Sequence, residues 1–257
     1  LARDYISAGL LDRAERLLLD LVQESGQHRR VARRHLLEIY EAQSDWSAAQ
    51  AVARELLPKR SLLRASAHVA NEIGQPVPTL LAHYCCERAK QAQAGNDLNT
   101  ARAQLEQALK YDRLCVRASL MLGELELVAG NPAAAIKHLQ AIKEQDPDFV
   151  PESAALLRDA FSQIDRRAAF RTYLQSCFDA KPSTPLLLAL VAEIQVAEGK
   201  GEAKAFLREH LLKKPSLRGL ATLMALHSSA EAGDDEALQM RIINSLVEAR
   251  SAYRCNH

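Results

Sequence analysis

Apolar residues along this chain return at spacings of three and four, with polar residues between them, which is the period of amphipathic helices and not of strands. The stretch LMLGELELVAGNPAAAIKHLQAIKEQDPDF, from Leu120 to Phe149, shows the unit most clearly. Two apolar faces, one carrying Leu122 and the other Leu139 and Ile142, flank the tetrapeptide AGNP. Gly130 suits the positive φ that ends a first helix, Asn131 suits the cap of a second, and Pro132 is tolerated in that helix's first turn. Pro147 stops the second helix just beyond its last turn. Gly123 and Ala135 are small where two antiparallel helices would cross, since a larger side chain there would push them apart. The stretch predicts a helical hairpin.

The hairpin repeats. Ala135 has a counterpart 34 residues earlier at Ala101, followed by Leu105, Ala108 and Leu109. Pro147 and Pro215 stand 68 residues apart, and GEAKAFLREHLLKKP puts Ala203, Leu207 and Leu211 before Pro215 in the same register. Upstream, Tyr5, Gly9, Ala14 and Leu18 in one segment match Tyr40, Trp46, Ala49 and Leu56 in another, with a mutual offset of 35 for Tyr5 and Ala14. Leu-Gly, then Ala, then a large apolar residue four further on, then Pro, at a period of about 34, is the spacing of the tetratricopeptide repeat, with Leu139 in place of Phe. The expected fold is all-α, a tetratricopeptide-repeat superhelical solenoid of antiparallel helix pairs over residues 1–250, with about six to seven repeats. The register breaks near residues 58–83: Ala49 and Ala101 are 52 residues apart, and NEIGQPVP predicts an extended connection or an irregular helix. The repeat around Ala169, with Tyr173 and Pro182, is degenerate, and the one around Ala237 lacks a closing proline. Leu1 falls inside a first helix, so the chain is expected to be cut from a longer one at both ends.

Composition narrows the chemistry. Glycine (10), proline (9) and aromatics (5%) are sparse, consistent with helices. Lys and Arg total 33 against 32 for Asp and Glu, a net charge of +1 that gives no field for drawing in nucleic acid. No apolar run reaches the roughly 18 to 20 residues of a membrane helix, PLLLALVA being the nearest, so a soluble fragment is expected. The five cysteines lack framework spacing, which predicts reduced thiols in a cytosol-facing protein. The adjacent pair Cys85 and Cys86 reads as one core and one surface thiol, because a helix turns neighbours apart by about 100°. HRRVARRH (residues 28–35) reads as a solvated helix start, and Trp46 as core. No Gly-rich phosphate loop, G-x-S-x-G elbow or H-E-x-x-H motif is present, so no enzyme activity and no cofactor are expected.

In stacked repeats the first helices of successive pairs line the default binding surface. Opposite the packing stripe of these helices run Arg34, Glu38 and Glu41, then His83, Cys86, Lys90 and Gln93, then Arg117, Leu120, Glu124 and Leu127. The candidate partner-binding set is Arg34, Glu38, His83, Lys90, Arg117, Leu120 and Glu124. Its cations suit carboxylates or a C-terminal tail, and its leucines offer an apolar shelf.

Four segments together resemble the LapB (YciM) family of lipopolysaccharide assembly proteins. LARDYISAGLLDRAERLLLDLV is similar to that family's first repeat, IYEAQSDWSAA and AHYCCERA to later segments, and the final YRC to the opening of its rubredoxin-type metal domain, Y-R-C-x-x-C-G. The resemblance implies a non-enzymatic adaptor on the cytoplasmic side of the bacterial inner membrane, which helps the membrane protease FtsH to degrade the deacetylase LpxC. It also implies an N-terminal membrane anchor and a metal domain holding iron or zinc, both in a parent chain. Residues 251–257 would be the truncated start of that domain. Cys255 would be its first thiolate, an incomplete site because tetrahedral binding needs four ligands. The other readings left open are a generic tetratricopeptide scaffold for another envelope assembly complex, and a metal- or redox-responsive regulator.

Overall fold

The computed structural model describes residues 1–23, 27–57, 76–226, 240, 243 and 244. Every regular element among them is helical, as the apolar spacing requires. The chain divides into two compact units, Leu1–Asp146 and Pro147–His257. The first contains α1 (Ala2–Ser7), α2 (Leu11–Gln23), α3 (Gln27–Ala42), α4 (Trp46–Leu56), α5 (Val77–Ala94), α6 (Leu98–Tyr111), α7 (Val116–Val128), α8 (Pro132–Gln140) and the short α9 (Ile142–Gln145). The second opens on a 3-10 turn at Pro147–Phe149 and continues with α10 (Val150–Gln163), α11 (Arg167–Ala180), α12 (Thr184–Ala197), α13 (Lys200–Lys213) and α14 (Leu217–Leu226). Successive helices pack as antiparallel pairs, so the all-α tetratricopeptide organisation read from the sequence holds.

One local device turns the chain back within the pairs. Gly9, Ser44, Asn96, Gly130 and Asp165 each adopt positive φ, between 53° and 76°. At each, the amide of that residue bonds the carbonyl three residues back, and the next amide bonds the carbonyl five back, as in Asp45 to Tyr40 and Asn131 to Glu126. These are the two hydrogen bonds of a Schellman ending, which satisfy carbonyls that the helix leaves open. The following helix is then capped by a side chain where one is placed to do so: Asp45 accepts from the amide of Ala48, and Asp97 from that of Thr100, both at 3.0 Å.

The small residues do the packing work assigned to them. Ala14, Ala49, Ala101, Ala135 and Ala203, the recurring alanines, are all fully buried. A Cβ on Gly123 would stand 2.4 Å from Leu139 Cδ2, so α7 and α8 approach too closely there for any other residue. Two continuous cores result in the first unit, one from Ala14 to Tyr84 around Leu36, Ile39 and Leu81, the other from Ala82 to Leu125 around Leu105 and Leu122. In the second unit Leu157, Phe170, Leu174, Leu190 and Leu207 are buried, with Phe161 stacked on Phe170 at 5.9 Å.

Polar contacts rivet the second helix of one pair to the first helix of the next. Arg88 of α5 donates to Gln50 of α4, Arg102 of α6 to the buried Glu126 of α7 at 2.6 Å, and Arg167 of α11 stands 3.4 Å from the buried Glu193 of α12.

Four expectations need correction. Val77 to His83, assigned to an irregular stretch, are regular helix: Pro76 precedes α5 and Pro78 lies in its first turn, where no amide donor is needed, so QPVP starts a helix instead of breaking one. Residues 58–75 lie outside the described residues. Asn131 precedes α8 but does not cap it; its amide donates to Glu126 at 3.0 Å. Cys85 and Cys86 are both fully buried, because α5 is covered on two sides, by α4 and by α6 and α7. Trp46 is only half-buried, stacked on Tyr84 at 6.1 Å.

Candidate protein-binding face

The face picked out by the sequence forms on α5 and α7. His83 and Lys90 are exposed and lie seven residues apart on α5, hence on one side of the helix. Arg117, half-buried Leu120 and exposed Glu124 follow the same spacing on α7. Glu87, between His83 and Lys90, joins the two stripes: its Oε1 is 2.6 Å from Arg117 Nη2. The spacing of four from His83 could have disclosed Glu87, which the sequence reading passed over.

Cys86 does not belong to this face. It is fully buried against α7, while Cys85, the next residue around the helix, receives a hydrogen bond from Gln50 of α4 at 2.9 Å. Burial pushes the Cys85 thiol up to about 11, against the opposing pull of Arg54 and Arg88, so it stays protonated.

Arg34 and Glu38 sit on α3. Their side chains pair with each other at 3.7 Å, and Glu38 also meets the buried His35 at 2.8 Å. The link from α3 to α5 runs through Glu41, which accepts from Tyr84 of α5. Burial, then this bond to a carboxylate, raises the Tyr84 hydroxyl far above its usual range. The HRRVARRH segment, expected to be a solvated helix start, is instead largely engaged: Arg29 donates to the carbonyl of Val22 at 3.0 Å, and Arg33 to Glu55 of α4.

The electrostatic picture differs from the one expected. Two of the three cations, Arg34 and Arg117, already face carboxylates of their own chain. Lys90 has no ion-pair partner among the described residues. A carboxylate-bearing partner would meet Lys90 first and would compete with Glu87 for Arg117.

Two surface grooves lie elsewhere. One of about 800 Å³ in the second unit runs between α11 and α12, with Arg167, Arg171, Gln175, Glu193 and Val196 among its lining residues. Its arginines are likewise engaged, Arg167 with Glu193 and Arg171 with Glu198. The other, of about 430 Å³, lies over Leu18, Leu21, Val31 and His35 in the first unit. Among the described residues no group of three or more His, Cys, Asp or Glu side chains could hold a metal, and no helix is long and apolar enough to cross a membrane. Cys255 and Ala237 lie outside the described residues.

Comparison with known proteins agrees with the repeat reading. The family model of the tetratricopeptide repeat matches residues 86–148, from within α5 to just past α9. The chain is 29% identical over 260 residues to lipopolysaccharide assembly protein B of Escherichia coli strain K12, covering 99% of this chain and 63% of that protein. It is 28% identical over 261 residues to the protein of the same name from Haemophilus influenzae, covering 100% of this chain and 62% of that one. This chain thus spans less than two thirds of the length of these relatives. Among solved structures, YrrB, described as a TPR protein with an unusual peptide-binding site, aligns at 16% identity with a TM-score of 0.38, over 75% of this chain and 88% of that one.

Proposed function

We propose, from a likeness to lipopolysaccharide assembly protein B that runs through nearly the whole chain, that this protein is a non-enzymatic adaptor in the control of lipopolysaccharide synthesis. Its repeats recruit the deacetylase LpxC to the membrane protease FtsH at the cytoplasmic side of the bacterial inner membrane. The observation that carries the reading is the alignment itself, 29% identity over 99% of the chain. The face on α5 and α7 supports it, offering exposed Lys90 and His83, a competable Arg117 and half-buried Leu120 to an extended acidic segment.

The test is calorimetric titration of this chain with purified LpxC and, separately, with the cytosolic part of FtsH. Saturable binding to LpxC is expected. The double variant Lys90→Glu, Arg117→Glu should weaken it at least tenfold, with the helical circular dichroism unchanged. Absence of binding to both proteins would remove recognition from the repeats, and full affinity in the double variant would remove it from this face.

A further inference from the structure

Cys86 and Cys115 meet sulfur to sulfur at the junction of α5 and α7. Their Sγ atoms are 4.0 Å apart. Cys86 lies within α5 and is 0% exposed; Cys115 immediately precedes α7 and is 7% exposed. Both belong to the same core cluster, with Ala82, Ala89, Ala118 and Leu122 around them. Cys85 points elsewhere, toward Gln50 of α4, so the adjacent thiols are separated by the turn of the helix and do not compete for the same partner.

The two thiols are unequal. Cys115 occupies the start of α7, where the Cys86 S–H and the amide of Ala118 both favour its thiolate, and its pKa is lowered. Cys86 is pushed the other way by its hydrogen bond to Cys115 and by burial. Cys115, at the start of α7, is also the less buried of the two and so the more open to an oxidant.

We propose that Cys86 and Cys115 form an oxidisable dithiol, a modification site at which a hydroperoxide closes a disulfide between α5 and α7. In the first step the Cys115 thiolate attacks the hydroperoxide, forming an S–O bond as the O–O bond breaks. The departing alkoxide takes from solvent the proton that Cys115 released on ionising and leaves as an alcohol, or as water when the oxidant is hydrogen peroxide, and Cys115 becomes a sulfenic acid. In the second step the Cys86 sulfur attacks the Cys115 sulfur; the S–S bond forms, the S–O bond breaks, and the hydroxyl leaves as water with the Cys86 proton. Two thiols give up two electrons, and the hydroperoxide accepts them. A disulfide needs its sulfurs about 2 Å apart, so closure requires an approach of about 2 Å.

The consequence falls on the neighbouring surface. Cys86 adjoins Glu87 and Cys115 lies two residues before Arg117, so the cross-link would fix the spacing of α5 and α7 beneath the Glu87–Arg117 pair. The chemistry does not depend on which partner, if any, that face binds.

The test uses the intact chain with hydrogen peroxide as the probe. After brief exposure near neutral pH, free thiols are alkylated and the digest is read by mass spectrometry. The expected product is a peptide pair joined through Cys86 and Cys115, lighter by two hydrogens, formed before Cys177 is modified and reversed by dithiothreitol. The cross-link should persist in Cys85→Ser, which identifies the sulfur of the vicinal pair that reacts. In urea the same treatment should give at least tenfold slower linkage, because the proximity belongs to the fold. The proposal is overturned if Cys86 and Cys115 remain alkylatable while Cys177 oxidises, if the link runs through Cys85, if Cys115 proceeds to sulfinic acid without linking, or if urea leaves the rate unchanged.

Discussion

Gly123 and Gly130 are seven residues apart and are glycine for opposite reasons. Gly123 lies inside α7, where a Cβ would strike Leu139 Cδ2 at 2.4 Å and Cγ at 2.5 Å, and Leu139 is itself fully buried with nowhere to retreat. Gly130 has open space around it but sits at φ 76°, in the left-handed region. Gly123→Ala should therefore destabilise by about 1–3 kcal/mol through overpacking, and Gly130→Ala by about 1–2 kcal/mol through backbone strain alone. Urea denaturation of both variants, each combined with Leu139→Ala, separates the mechanisms. The Gly123→Ala penalty should shrink strongly when Leu139 is shortened and the Gly130→Ala penalty should add independently; equal coupling in both cycles would refute the distinction. Both roles were legible from sequence, because L-G and A-G-N-P are residue types with few other uses. The same left-handed turn at Ser44, Asn96 and Asp165 was not legible, since polar residues there look like ordinary loop residues and only the backbone discloses the φ of 53° to 60°.

At the scale of helices, the junction of α6 with α7 turns on one buried carboxylate. Burial pushes the Glu126 carboxyl up, but the hydrogen bond from Arg102, that from Asn131 and the Arg102 charge more than offset it, and the pKa lies below its ordinary 4.5. A carboxylate whose folded pKa is depressed adds stability above the unfolded value, and that stability fades as the pH falls from about 4.5 through the folded value. Glu126→Gln should thus cost about 1–3 kcal/mol near pH 7, with the gap from the unsubstituted chain narrowing below about pH 4.5. Chemical denaturation at several pH values checks this, and a gap independent of pH would show that Arg102 and Asn131 hold the side chain without recognising its charge. Sequence spacing gave Asn131 to the cap of α8. An asparagine after glycine is a good cap in isolation, and only the approach of α6 brings Arg102 and thus makes Glu126 the stronger claimant. QPVP misled for the related reason that proline breaks a helix interior but suits its first turn.

For the molecule as a whole, repetition made the architecture easy to read and the binding face hard to read. Buried positions recur with the period, so Ala101, Ala135 and Ala203 announce themselves; exposed positions need not repeat, and His83, Lys90 and Arg117 could be grouped only by helical spacing. That spacing could not show that Glu87 already occupies Arg117. The same one-dimensional design makes a further prediction about stability. Each hairpin buries its apolar face mainly against its sequence neighbours, so damage should remain local instead of unfolding the whole chain. Leu122, fully buried at the centre of α7, is the sharpest place to test this. Leu122→Ala should cost about 2–5 kcal/mol, and amide hydrogen exchange should read it as faster opening through α5 to α8, the helices that share its core or touch it. The amides of α12 and α13, which have their own core around Leu190 and Leu207, should keep their protection. A uniform loss across both units would mean that the chain opens as one cooperative body, and would exclude an independently stable first unit as the platform for the face on α5 and α7.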